Sequence, residues 1–250
     1  VLWINKRSSQ AVATLAGLML AGTAMAAPLV VRSAGPSAKT YPAGKAIPDT
    51  AKIVLKAGDT IVLLDGKGTR TLSGPGTFSA TATATAAAST GSTLNALVSG
   101  GGERRARIGA VRSASGIDKN AGKNPNVWYV DIGRSSNMCI ADTSTVTVWR
   151  PSADKAATVT VTGPSGQGTI DLPAGQSAAL WPSSVPVVDG GAYKLSWEGA
   201  KAPTSLKFIV VKPTTAGLED MAQSLIKAGC NAQLDLLIQT VALPDGSPKG

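Results

Sequence analysis

Two cysteines, Cys139 and Cys230, are the residues whose chemistry is easiest to name. In a chain carrying an export signal, described below, a disulfide is the natural reading of such a pair. It would close a loop of about 90 residues and contribute about 4–5 kcal/mol by restricting the unfolded chain. The alternatives are two free buried thiols or a redox pair, and the absence of a C-x-x-C spacing weakens the redox reading.

Nucleophilic chemistry has thinner support. Ser152-x-x-Lys155 and Ser224-x-x-Lys227 match a spacing in which a lysine deprotonates a serine. Neither is joined by the Ser-Asp-Asn or Lys-Thr-Gly elements that complete such sites, so coincidence is the stronger reading. Gly163-Pro164-Ser165-Gly166 lacks the spacing of a nucleophile elbow. The chain has no histidine at all, which removes Ser-His-Asp and Cys-His catalysis and nearly all common zinc and iron ligand sets. Its carboxylates are scattered, and no Gly-x-x-x-x-Gly-Lys phosphate loop is present. The sequence therefore assigns no catalytic, cofactor-binding or metal-ligating residue, and no cofactor.

Two further residue sets could form binding surfaces. Arg104, Arg105, Arg107 and Arg112 lie in a Gly-, Ser- and Asn-rich stretch over 94–126. They are candidate contacts to an anionic envelope surface. A solvated linker is the stronger reading, and nucleic acid is not expected, because no aromatic residue interleaves the arginines. Trp128, Trp149, Trp181 and Trp197 could stack sugars from one face, but packing in a small sandwich is the commoner use of tryptophan, and their spacing does not align them.

The elements that must position these residues begin with a segment to be removed. Lys6 and Arg7 precede the apolar run 11–22, and Ala24-Met25-Ala26 supplies the small residues of a cleavage site, so 1–26 reads as a secretory signal peptide. That run is too short to span a bilayer, which takes about 20 helical residues. The valine at position 1 fits a non-ATG start codon and hence a bacterial gene, placing the product in the periplasm. Removing Lys6 and Arg7 lowers the formal charge from +9 to +7, ordinary for a basic exported protein.

Residues 27–93 read as a small β module. Leu29 opens a first strand and Tyr41-Pro42-Ala43-Gly44 turns the chain. Ile61 to Leu64 form a continuous apolar run between Gly58-Asp59 and Asp65-Gly66, as in an interior strand. The Asp-Gly pair predicts a hairpin, and Gly74-Pro75-Gly76 stops the ladder. Residues 79–93, rich in Ala and Thr, read as an edge strand fading into linker, and Leu94 to Val98 as one helical turn. The stretch AGDTIVLLDGKGTRTLSGPGTF resembles the periplasmic FecR-type domain, with its Gly-Asp strand entry, apolar strand, Asp-Gly turn and following strand. The resemblance implies a small β-rich module used in transmembrane signalling or in cell-envelope proteins. More broadly, the whole chain resembles exported proteins of alphaproteobacteria.

From Val127 the texture changes. Eight short β segments, WYVDI, MCIAD, VTVWRP, ATVTVTG, GTIDLP, SAALWP, YKLSW and SLKFIVVKP, are separated by turn residues, which predicts an Ig-like sandwich over 127–213. Val159 and Val161 alternate with Thr158, Thr160 and Thr162, giving one buried and one wet face. In the tail, 214–250, Thr215 is placed to cap a helix with Glu219 and Asp220 in its first turn, the apolar stripe Leu218, Met221, Ala222, Leu225 and Ile226, and a stop at Gly229. A second helix starts at Asn231, presents Leu234, Leu237, Ile238 and Val241, and ends at Pro244-Asp245-Gly246. Both helices are expected to pack on the sandwich, with the FecR-like module lying away from the cysteines.

The fold expected is thus mainly β, a FecR-like module plus an Ig-like sandwich with a C-terminal helical pair. The function expected is non-enzymatic: an exported binding or assembly protein of the bacterial cell envelope, partnered by another envelope protein and without a transmembrane span. A signalling accessory acting through the FecR-like module, or a carboxylate-dependent hydrolase of envelope polymers, are the alternatives.

Overall fold

The computed structural model describes residues 27–81, 122, 124–212 and 217–242. The signal segment, the four arginines 104, 105, 107 and 112, Thr215, and Pro244-Asp245-Gly246 lie outside the described residues. Within them the protein is mainly β, with two helices at its C-terminal end.

The N-terminal part holds β1 (Leu29–Ala34), β2 (Lys52–Leu55), β3 (Thr60–Asp65), β4 (Gly68–Ser73) and β5 (Gly76–Ser79). Strands β1, β3 and β4 form one antiparallel sheet in that order, and β2 pairs with β5. The hairpin between β3 and β4 turns where Asp65 accepts the Lys67 N–H on Oδ1 at 2.8 Å. Residue parity explains the unbroken apolar run. Ile61 and Leu63 enter a core with Val30, Ile53 and Leu55, whereas Leu64 and the half-buried Val62 face the helices. A strand buried on both faces needs no alternation.

The Gly-Asp entry to β3 has a structural job. Asp59 is 1% exposed, and its carboxylate accepts the N–H of Ser37 at 2.7 Å and of Lys56 at 2.5 Å. Gly35 lies against it at φ +99°, where an added Cβ would come within 2.6 Å of Asp59 Oδ1. Only glycine allows that approach at positive φ without strain.

All eight β segments expected after Val127 are strands: β6 (Val130–Asp131), β7 (Ser136–Ile140), β8 (Thr147–Trp149), β9 (Ala157–Gly163), β10 (Gly166–Leu172), β11 (Ala178–Leu180), β12 (Ala192–Ser196) and β13 (Thr204–Val210). They form a five-stranded sheet in the order β10-β9-β12-β13-β7 and a three-stranded sheet in the order β11-β8-β6. Pairing is antiparallel except for β13 with β7 and β6 with β8, which run parallel. Val148, Val159, Val161, Ile170, Leu195 and Phe208 share the core between the sheets. Val159 and Val161 are buried, and Thr158 and Thr162 between and beside them are exposed.

The helices are α1 (Leu218–Ala228) and α2 (Asn231–Thr240). α1 begins after Gly217 without a side-chain cap, carries Glu219 and Asp220 in its first turn, and stops at Gly229 with φ 69°. The Cys230 N–H then bonds back to the Leu225 carbonyl at 2.9 Å, closing the last turn. α2 ends at Thr240 because its last carbonyls find a strand. Thr69 of β4 donates its N–H to the Val241 carbonyl and its hydroxyl to the Ile238 carbonyl, each at 2.9 Å.

Where the helices sit differs from the sequence expectation. They pack on the sandwich and on the N-terminal module together. Leu29, Val31 and Leu64 of the module share one core with Val127 and Cys139 of the sandwich and with Leu218, Met221, Leu225, Leu234 and Leu237 of the helices. The physical reason is the outer face of β1 and β3, too apolar to leave in water, which the helix pair covers.

Candidate binding cleft

Cys139 of β7 and Cys230, the residue before α2, form the expected disulfide, with Cα atoms 5.9 Å apart. It holds the start of α2 beside β7. A second clamp lies three residues on, where the buried Gln233 accepts the Cys139 N–H on Oε1 at 2.7 Å. Gln233 Nε2 donates to the Cys139 and Val127 carbonyls, each at 2.8 Å. β7 is an edge strand, and this side chain pairs with it as a neighbouring strand would.

α2 has two faces as a result. Leu234, Leu237 and Val241 point into the shared core, while Ala232, Asp235, Leu236 and Gln239 line a cleft against β6, β7 and β8. The second set has spacings of three, four and seven, which places it on one helical face. The cleft has a volume of about 280 Å³. Its sandwich side presents Tyr129, Asp131, Arg134, Met138 and Trp149.

Backbone bonds fix the acid and the base on that wall. Ile132 donates its N–H to the Trp149 carbonyl at 3.0 Å, and Thr204 donates its hydroxyl to the Ile132 carbonyl at 2.5 Å. Arg134 N–H turns back to the Asp131 carbonyl at 3.3 Å, and Asp131 Oδ1 accepts the Gly133 N–H at 2.9 Å. Asp131 and Arg134 therefore stand three residues apart on one turn, and both line the cleft.

Their partners differ. Asp235 accepts from Arg134 Nη2 at 3.2 Å on one oxygen and from Arg32 Nη2 at 2.5 Å on the other. That carboxylate joins β1, the β6–β7 turn and α2. Asp131 Oδ2 has no hydrogen-bond partner among the described residues. Burial pushes the Asp131 carboxyl above its ordinary value, against the opposing pull of the Gly133 N–H and the charge of Arg134.

A neighbouring hollow of about 330 Å³ is lined by Asn126, Trp128, Asp142 and Thr145. Its acid is already satisfied. Asp142 accepts from the Ser144 hydroxyl and N–H and from the Thr145 hydroxyl, which hold its carboxyl below the usual range. This is the chemistry of a turn.

The other sequence candidates separate. Ser152 donates its hydroxyl to Asp154 Oδ2 and Ser224 donates to the Asp220 carbonyl, each at 2.9 Å, so neither hydroxyl proton is directed at its lysine. The tryptophans form no common platform. Trp149 is 5% exposed, and Trp181 packs edge-on against Tyr193 and Phe208 while donating Nε1–H to the Val185 carbonyl. Trp128 and Trp197 are half-buried against different cores. Asp131, Arg134, Gln233 and Asp235 were not singled out from sequence. Asp131-Ile132-Gly133-Arg134 carried a turn signal, but nothing local said that α2 would lie against it.

No family model, no curated protein and no solved structure matches this chain.

Proposed function

We propose that this chain is a non-enzymatic exported binding or assembly protein of the bacterial cell envelope, and that the cleft between α2 and the sandwich is its binding surface. The observation that carries the reading is the preorganisation of the cleft. Its walls are tied by the disulfide, by Gln233 and by the Arg32–Asp235–Arg134 bridge before any ligand arrives. Walls fixed in advance spare a binder the entropy of ordering them. The disulfide supports an oxidising compartment. Among the described residues no helix is long and apolar enough to cross a membrane.

The test combines location and capture. The full chain, with its export segment, is expressed in a bacterial host and fractionated, and its neighbours are trapped by photo-crosslinking from position 239. We expect a periplasmic chain, and a crosslinked envelope partner whose purified form binds the wild-type protein and loses binding to Leu236→Glu. A cytoplasmic chain, or binding indifferent to that substitution, would overturn the proposal.

A second reading has one observation in its favour. Asp131, a carboxyl shifted upward by burial and lining a cleft, is the kind of group that serves as a general acid. On that reading the chain is a carboxylate-dependent hydrolase of envelope polymers, and Asp131→Asn abolishes turnover of purified peptidoglycan. Absence of turnover by the wild-type chain rejects it.

A further inference from the structure

The cleft is small. At about 280 Å³ it lies at the lower edge of the roughly 300–1,000 Å³ common for drug-sized ligands, so its occupant is about the size of one or two residues. Its lining carries both signs of charge and is partly apolar. Met138 and Trp149 come from the sandwich and Leu236 from α2. We infer that the cleft takes a zwitterion of amino-acid type, its ammonium on Asp131, its carboxylate on Arg134, and its side chain against Met138, Trp149 and Leu236. This deepens the binding reading of the same cleft and rests on it.

Three observations converge on that chemistry. The two charged residues are three apart on a turn pinned by the Gly133, Arg134 and Ile132 N–H groups and by the Thr204 hydroxyl, and the Asp235 carboxylate holds the Arg134 guanidinium from the helix side. Each retains capacity. Asp131 Oδ2 is without a hydrogen-bond partner, and Arg134 uses only Nη2, on Asp235, among the described residues. That single bond orients the guanidinium without consuming it, because an arginine has five N–H donors in a planar fork suited to a carboxylate. Finally, the apolar lining leaves Asp131 desolvated with too little countercharge, and an ammonium group supplies what is missing. A neutral sugar would leave that charge uncompensated. A simple cation would meet Arg134 head-on.

The full exported chain, oxidised at Cys139–Cys230, is titrated by calorimetry and by amide NMR with a panel of free amino acids bearing apolar side chains. The same side chains are then offered as N-acetyl derivatives, which lack the ammonium, and as amides, which lack the carboxylate. We expect binding that shifts amides of Asp131–Arg134 and Ala232–Gln239, weakened tenfold or more by either cap. Asp131→Asn should erase discrimination against the N-acetyl form, and Arg134→Gln should erase discrimination against the amide form. A dipeptide keeps both charges with their separation increased by about one residue, so its rank against the amino acid tells free monomer from peptide. Equal affinity for capped and uncapped ligands, or no shift in those segments at millimolar concentration with any probe, overturns the inference. The capped ligands test it on wild-type protein even if a variant fails to fold. Failure here with crosslinking intact leaves the binding-protein reading standing, whereas binding here without a crosslinked partner keeps the cleft as a small-molecule site and removes the envelope partner.

Discussion

Gln233 and Cys139 exchange two hydrogen bonds, amide side chain to strand backbone, at 2.7 and 2.8 Å. The arrangement lets a helix finish a sheet. β7 would otherwise leave the Cys139 N–H and carbonyl facing an apolar helix, where each unmade bond costs about 1–3 kcal/mol. Only a side chain with both an acceptor and a donor at its tip can satisfy both groups. Gln233→Ala is therefore expected to lower stability by about 2–4 kcal/mol. Denaturant unfolding of the oxidised protein measures this, with an unchanged slope confirming that the same surface unfolds. A loss below about 0.5 kcal/mol, the scale of an ordinary surface substitution, would mean that water replaces the amide at no cost.

The disulfide acts on the same junction through the unfolded chain. Its two cysteines are 91 residues apart, and closing a loop of that length is worth about 4–5 kcal/mol on chain-entropy grounds. α2 is also held by contacts other than the bond, since Leu234 and Leu237 are fully buried in the shared core and Gln233 is bonded to β7. The double variant Cys139→Ala, Cys230→Ala should keep the wild-type fold by circular dichroism while its unfolding free energy, measured by denaturant titration, drops by about that amount. Collapse of α2 in that variant, seen as fast amide exchange over 231–240, would show that the bond is needed to build the junction.

Asp59 gives the N-terminal module an acid-sensitive latch. Burial raises its carboxyl, but the bonds from Ser37 and Lys56 outweigh that, and the net shift is downward. A carboxyl lowered in the folded state contributes stability above the unfolded value of about 3.9, and that contribution is lost as pH falls through the folded value. Asp59→Asn should destabilise the protein at neutral pH, with the difference from wild type shrinking below pH 4. A difference that stays constant from pH 7 to pH 2.5 would assign the effect to geometry and not to charge.

How much of this was legible follows the range of each interaction. The hairpin over Thr60–Ser73, the eight strands after Val127, the apolar stripe and Gly229 stop of α1, and the start of α2 rest on local patterns, and the structure has them. The disulfide needed only two cysteines and a compartment. The shared core needed more. Leu29, Val31 and Leu64 announce a second buried face, but no pattern within the module says whether another strand, a second copy or a distant helix covers it. Arg150 was hidden in the same way. Its guanidinium reaches the carbonyls of Lys155, in the β8–β9 loop, and of Leu172, Pro173 and Gln176, at the end of β10 and in the β10–β11 loop, two connections that meet only in the folded sandwich. The cleft is the extreme case, since Asp131 and Asp235 are separated by about a hundred residues and become neighbours of one cavity through the disulfide and Gln233.

Asp131 should make the opposite pH signature to Asp59, and the contrast tests the cleft. Its carboxyl is raised in the folded state by burial, so the unfolded chain releases the proton first as pH rises. The resulting penalty is absent below the unfolded value of about 3.9 and complete once pH exceeds the folded value. Asparagine keeps an oxygen for the Gly133 N–H and cannot ionise. Asp131→Asn is accordingly expected to be more stable than wild type at pH 7 and equal to it at pH 3, measured as thermal midpoints across that range. A variant less stable than wild type at pH 7 would show that Arg134 more than compensates the buried charge. The carboxylate would then be part of a settled ion pair, with nothing left over for an incoming ammonium.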